Sequence, residues 1–207
     1  MDDIVPVIIC ENYSDYLDCT LQQNRSFFKN YHVITTEADT ETQEVCKKHG
    51  VSCELFEPIP GKFKFNKAGM LRQLQLKVHE LYPESWILIL DADIALPDDF
   101  CTLWETHHPN LNKSNVYGMK RIDYWTHNEY KLRGAGRPYA KCAGYFQLYF
   151  DKTKLYDKTS NDATMCDMRF QQGFCTQCVF AEKHSVMHLG RDRVNHQGRV
   201  SKPWFDS

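Results

Sequence analysis

Trp86-Ile87-Leu88-Ile89-Leu90-Asp91-Ala92-Asp93 is the stretch on which the reading of this chain turns. Five consecutive apolar residues make a run of strand length, and the run ends on two carboxylates spaced two apart. In an extended chain, residues i and i+2 project to the same face. Both aspartates are therefore expected to approach one hard cation, such as Mg²⁺ or Mn²⁺, where the strand emerges. A cation so placed can neutralise a diphosphate and help it leave.

Upstream of this strand the chain alternates between two periods. Val5 to Cys10 is a short apolar run that reads as a buried strand, followed by the polar loop Glu11-Asn12-Tyr13-Ser14-Asp15 and a helix over Tyr16 to Gln23. His32 to Thr36 reads as a second strand. Asp39-Thr40-Glu41-Thr42 has the character of a helix start, and Lys47-Lys48-His49-Gly50 has the basic residues and glycine of a helix end. Val51 to Phe56 is a third strand. After a break at Pro58, Pro60 and Gly61, a helix is predicted from Lys67 to Leu81, with Met70, Leu71, Leu74 and Val78 on one stripe and Pro83 beyond its end. Strand and helix taking turns over about 95 residues predicts an α/β fold with a mainly parallel sheet covered by helices. Ligands of such sheets bind beyond the carboxyl ends of the strands, which is where Asp91 and Asp93 fall.

The second half is less regular. Val116 to Met119, Cys142 to Phe150 and Val186 to Leu189 read as strands, and Ala163 to Gln172 as a helix. Residues 121 to 141, rich in Arg, Tyr, Trp and Gly, read as one long connection, of the kind that is usually functional or mobile. The segment from Gly190 to Ser207 is basic and without periodicity. No internal repeat or low-complexity tract is visible.

The whole chain bounds the options. Its 207 residues are expected to form a single domain, with about 1–95 as one half and about 96–207 as the other, and could be one domain of a longer protein. A 42% apolar and 25% charged composition is that of a globular protein, and a net charge of −2 offers no basic excess for nucleic acid. No run approaches the roughly 20 apolar residues of a membrane span, and the N-terminus lacks the pattern of a secretory signal, so a cytoplasmic location is expected. The nine cysteines are odd in number and scattered, which reads as reduced thiols; Cys175 and Cys178 have CxxC spacing without a second pair.

The segment Asn66-Lys67-Ala68-Gly69-Met70-Leu71-Arg72, its helix, and the strand ending in Asp91-Ala92-Asp93 resemble nucleotide-sugar glycosyltransferases of the GT-A fold. The resemblance covers most of the chain in order, although only the DxD region is specific. The short chain also resembles the glycosyltransferase domains that large algal viruses encode for capsid glycosylation, which would place it in the host cytoplasm. The resemblance implies a Rossmann-like nucleotide-binding half, a smaller acceptor half, a UDP-sugar donor, Mn²⁺ or Mg²⁺, and a glycan or glycoprotein acceptor. It implies neither nucleic acid nor a membrane span.

Carried over residue by residue, Asp93 corresponds to the direct metal ligand. Asp91 corresponds to the residue that meets the ribose, or the metal through water, with Ala92 between them in the same nucleotide-binding set. Glu11, Asn12 and Tyr13 lie where the family holds the nucleoside. Thr36 to Asp39 lies where a side chain meets the uracil, although Thr35-Thr36 replaces the usual double aspartate. Lys67 and Arg72 are expected to face the diphosphate or the sugar. GT-A enzymes often complete the metal site with a late histidine, and two compete for it: His188, in the apolar run Val186-Met187-His188-Leu189, and His196. His196 begins a stretch ending Lys202-Pro203-Trp204, similar to the ending of the glycogenin-like retaining branch but with its glycine displaced by one position. Arg191, Arg193 and Lys202 are candidates for the diphosphate. Asp162 and Asp167 resemble a degraded form of the acidic motif of inverting enzymes, with Asp167 favoured as the catalytic carboxylate and Cys166 standing where a glutamate is usual. The Lys-Pro-Trp ending points to retention and the Asp167 region to inversion. Gly144 resembles a small residue that lets donor sugar approach the backbone, and the loop from Arg121 to Arg137, with Tyr124 and Trp125, is the acceptor-side candidate.

Three other readings share parts of this pattern. A haloacid-dehalogenase-type phosphatase also starts from an apolar strand and DxD, with the first aspartate as nucleophile, but there the motif stands near the start of the fold. A nucleotidyltransferase shares the fold and metal logic but carries a glycine-rich basic loop that is missing after Cys10. A non-catalytic sugar-nucleotide-binding module would keep the fold alone.

Overall fold

The computed structural model describes residues 1–56, 66–139, 144–158, 163–190 and 204–206. In chain order the elements are β1 (Ile4–Ile9), α1 (Ser14–Asn24), β2 (His32–Thr36), α2 (Thr40–His49), β3 (Ser52–Phe56), α3 (Lys67–Leu81), β4 (Trp86–Asp91), β5 (Ile94–Ala95) and α4 (Phe100–His107). They continue with β6 (Val116–Gly118), β7 (Lys120–Tyr124), α5 (His127–Lys131), β8 (Arg137–Tyr139), β9 (Phe146–Tyr149), α6 (Ala163–Gln172), β10 (Gln177–Val179) and β11 (Ser185–Leu189).

The main sheet has the order β10-β6-β9-β4-β1-β2-β3. β3, β2, β1 and β4 are parallel, β9 runs antiparallel between β4 and β6, and β10 is parallel to β6. The chain winds outward from β1 to β3, then crosses back to place β4 on the other side of β1. The gap between the carboxyl ends of β1 and β4 is thus the point where the winding reverses, the preferred ligand crevice of an open α/β sheet. The expected α/β fold, with a Rossmann-like half and a smaller mixed half, is the one observed.

Continuous apolar runs are required here because both faces of the sheet are covered. Ile4 and Ile8 of β1 and Leu88 and Leu90 of β4 enter the core shared with α1, α2 and α4. Val5, Val7 and Ile9, with Ile87 and Ile89, enter the opposite core under α3 and α6. The stripe Met70, Leu71, Leu74 and Val78 is fully buried on that side. At about 2 kcal/mol for each fully buried aliphatic side chain, the two cores are the main favourable contribution to folding. α2 starts and stops as its ends suggest: Asp39 accepts from the Thr42 amide, and Gly50 caps the other end.

A second sheet, β5-β11-β7-β8, makes up much of the smaller half. Here the expectation of one long connection over residues 121–141 is corrected. β7, α5 and β8 occupy most of that segment, and β7 pairs in parallel with β11 over five residues. Apolar patterning misses β7 because its buried positions include Arg121 and Asp123, which are satisfied by ion pairing rather than by apolar contact. β8 contains Pro138, which is tolerated on an edge strand. The return to β8 passes through Gly136 at φ +58°, where a Cβ would lie 2.2 Å from Ile122 Cγ2, so only glycine fits.

Candidate active site

The Asp91-Ala92-Asp93 stretch joins the two sheets. The Asp91 amide donates to the Tyr145 carbonyl beside β9 (3.1 Å), and the Asp93 carbonyl accepts from the Leu189 amide of β11 (2.8 Å). Between them, buried Ala92 offers its carbonyl to the Thr20 hydroxyl (2.8 Å). Asn24, also buried, holds both sides of β5 through Ile94 O and Leu96 N. Regular strand geometry ends at Asp91 and the chain turns at residues 92 and 93, so the two aspartates do not share one strand face. They engage different partners, and the simple i, i+2 expectation is corrected accordingly.

Asp91 meets Lys67, the first residue of α3. The Lys67 ammonium lies 3.0 Å from Asp91 Oδ1 and 2.9 Å from Asp167 Oδ2, with only 9% of its side chain exposed. Burial alone would lower its pKa, but Asp167 and Asp91 outweigh burial and hold it well above the usual lysine range. Asp91 is raised above the usual carboxylate range by burial, with Asp167 and Asp93 adding to the effect and Lys67 opposing it. Asp167 projects from α6 and accepts from three donors: Lys67, the Tyr156 hydroxyl (2.6 Å) and Gln147 Nε2 (3.3 Å). Gly144 makes room for this carboxylate, since a Cβ there would sit 2.1 Å from Asp167 Cγ. The small residue expected to admit a sugar thus admits an aspartate.

Asp93 meets His188. Its Oδ2 lies 3.5 Å from His188 Nε2, while His188 Nδ1 lies 3.0 Å from Asp123 Oδ1. Asp123 in turn lies 2.8 Å from Nε of Arg121, whose guanidinium stacks between Tyr139 and Tyr145. Burial would lower the His188 pKa, but Asp93 and Asp123 push it up to about 9. The cluster therefore favours a positive charge on or beside the imidazole. Its donor set, one carboxylate oxygen and one imidazole nitrogen, suits Mn²⁺ better than Mg²⁺, which takes oxygen ligands, and the second carboxylate on the far ring nitrogen is the usual support for a ligating histidine. Among the described residues no group of three His, Cys, Asp or Glu is arranged to hold an ion unaided.

The carboxyl ends of β1 and β2 form a third part. Asp39 receives the Asn12 amide (2.7 Å), the Thr35 hydroxyl (3.0 Å), and the amide and hydroxyl of Thr42 (3.1 and 2.7 Å). It thereby fastens the loop after β1 to the start of α2. Asn12 adopts φ +61° and is exposed; Glu11 and Tyr13 are half-buried, and burial followed by Asp39 raises the Glu11 pKa. Thr36 is buried, and its carbonyl accepts from the Asp39 amide. Arg72 donates to the Tyr156 carbonyl (3.0 Å) and so supports the Asp167 side of the site.

The structure thus brings Lys67, Asp91 and Asp167 together, and Asp93 with His188. Asp162, Arg191, Arg193, His196 and Lys202 lie outside the described residues. Sequence reasoning did not single out Tyr156 or Gln147 for the site, and it had Arg121 and Asp123 only as part of the acceptor-side loop. The available signal was Arg121-Ile122-Asp123-Tyr124, a period-two pattern whose charged members face inward.

No protein-family profile matches the chain, and no curated protein is similar to it in sequence. Among the solved structures to which the chain is similar are three. One is mannose-1-phosphate geranyltransferase from Thermus thermophilus, at 15% identity over 59% of this chain and 42% of that one, with a TM-score of 0.41. Another is a cytidylyltransferase from Leptospira borgpetersenii, at 14% identity over 72% and 60%, with a TM-score of 0.43. The third is 4-diphosphocytidyl-2C-methyl-D-erythritol synthase, at 12% identity over 98% and 95%, with a TM-score of 0.47. The chain spans less than two thirds of the length of the first two.

Proposed function

We propose that this chain is a metal-dependent transferase of the GT-A type, moving a hexose or deoxyhexose from a UDP-sugar to a hydroxyl of a glycan or glycoprotein. The observation that carries this reading is the meeting of Asp93 and His188, 3.5 Å apart, just beyond the carboxyl end of β4. On this reading the nucleoside would lie along the loop after β1, which Asp39 fastens to α2. A bound Mn²⁺ or Mg²⁺ would offset charge on the leaving diphosphate.

In the transfer itself the acceptor oxygen forms a bond to the anomeric carbon, and the bond from that carbon to the diphosphate oxygen breaks. The electron pair leaves with UDP, and the hydroxyl proton passes to a basic oxygen of the leaving group or to water. Asp93 and His188 would hold the metal, and Asp123 fixes the imidazole with Nε2 turned towards Asp93. Lys67 supplies a buried positive charge beside Asp91. Asp167, with three donors already on it, holds Lys67 beside Asp91. No helix among the described residues is long and apolar enough to cross a membrane.

The test is thermal unfolding with UDP and Mn²⁺, followed by turnover of a UDP-sugar panel. A saturating ligand at about 100 times its Kd adds roughly 2.7 kcal/mol, a clear rise in Tm. Asp93→Ala is expected to remove both the UDP shift and turnover. Metal-dependent turnover that survives Asp93→Ala overturns the proposal. Stabilisation without turnover leaves a binding module, and phosphatase activity lost in Asp91→Asn, with no UDP effect, leaves the phosphatase.

A further inference from the structure

We infer that Trp125 is the platform on which a hexose ring of the acceptor glycan packs. This deepens the glycosyl-transfer reading and rests on it. Trp125 directly follows β7, two residues beyond Asp123. The rise along a strand is about 3.3 Å per residue, so the two positions are separated by about 6.6 Å, roughly the span of one sugar. Arg137 of β8 stands opposite Asp123 in register, so their side chains share a face. The Arg137 guanidinium lies over the Trp125 ring, 3.7 Å from its centroid, which puts the indole on the same face as the Asp123–His188–Asp93 cluster.

The indole is built in rather than left over. Glu129 of α5 accepts from the Trp125 backbone amide (2.8 Å) and binds Arg137 through both oxygens (3.0 and 3.2 Å). One face of the ring is braced by the guanidinium, yet 38% of the residue stays exposed. A pyranose presents an apolar C–H face and a rim of hydroxyls. The indole offers the apolar surface, and the half-exposed Glu129–Arg137 pair offers acceptors and donors at its edge. On the proposed reading the nucleoside lies along the Asn12–Asp39 loop, which leaves this platform to the acceptor.

The four tryptophans make the test selective. Trp86, Trp104 and Trp204 are only 2%, 3% and 1% exposed, so acrylamide quenching of the folded protein reports mainly on Trp125. The probes are methyl glycosides of glucose, galactose, mannose and fucose, and chitobiose, each titrated without nucleotide. At least one is expected to lower the quenching slope saturably. Trp125→Leu is expected to weaken half-saturation by that glycan about tenfold in calorimetry, with Trp125→Phe recovering most of the loss. Protection by none of the probes, or only by UDP with Mn²⁺ or by a peptide, overturns the inference. The UDP–Mn²⁺ Tm shift is read in parallel. A shift without glycan protection removes the platform alone, whereas protection without a shift keeps the platform and removes the transferase.

Discussion

His188 and Asp123 stand opposite one another on adjacent parallel strands, with Nδ1 3.0 Å from Oδ1, so that the other ring nitrogen faces Asp93. A histidine held this way has one tautomer and one orientation when it binds a cation through Nε2. Asp123→Asn keeps the shape but removes the charge that supports the ring. Mn²⁺ affinity, read from the free-ion electron paramagnetic signal, is expected to fall about tenfold, at the low end for such supporting residues. Unchanged affinity would show that the Asp123 charge has no part in metal binding.

Gly144 and Asp167 define the second prediction. A methyl group at position 144 would occupy the volume of the Asp167 carboxyl. Displacing that carboxylate also strips Lys67 of one of its two counter-charges in a buried setting. Overpacking costs about 1–3 kcal/mol and a broken buried pair about 3–5 kcal/mol, so Gly144→Ala is expected to lose at least about 3 kcal/mol. A urea midpoint equal to that of the wild type would contradict the close approach.

Much of the fold was legible because burial on both faces demands what the sequence shows. β1 and β4 had to be continuous apolar runs, and they are. α2 had a carboxylate at its start and a glycine at its end. The smaller half was less legible because its strands bury charge. Arg121, Asp123 and His188 sit inward as a chain of ion pairs; the first two show locally as a period-two pattern, but His188 stands 65 residues from Asp123, and no local pattern displays that pairing. The DxD pair was found, but a turn at its second half sends Asp93 to β11 while Asp91 stays with α3. That division belongs to tertiary structure, and so does the use of Asp167 to hold Lys67.

Asp39 ties the loop after β1 and Thr35 of β2 to α2 through four hydrogen bonds, and its loss should be felt in both the loop and the helix. Asp39→Ala removes a helix cap, at a cost of about 1–2 kcal/mol. It also frees the Asn12 amide, so UDP affinity measured by calorimetry is expected to fall along with Tm. A variant that loses stability but binds UDP as tightly as the wild type would separate the loop from the nucleotide.

His79 supplies the pH dependence. Its Nε2 lies 2.9 Å from the buried Tyr149 hydroxyl, which also accepts from Gln75 at 2.8 Å. The hydroxyl therefore donates to a neutral imidazole. Burial, and then the nearby Lys152, push the His79 pKa down from 6.5 to about 4. Between those values the unfolded chain binds a proton that the folded chain refuses, so stability rises with pH through this window. The contribution is complete above about pH 6.5 and is lost progressively as pH falls towards 4. Because the ring is partly open to water, the effect is expected to be about 1 kcal/mol rather than the full value of the shift. His79→Gln keeps an acceptor for Tyr149 but cannot titrate there. Urea midpoints at pH 7 and pH 5 should therefore differ less in the variant than in the wild type, and an equal difference in both would remove His79 as the source.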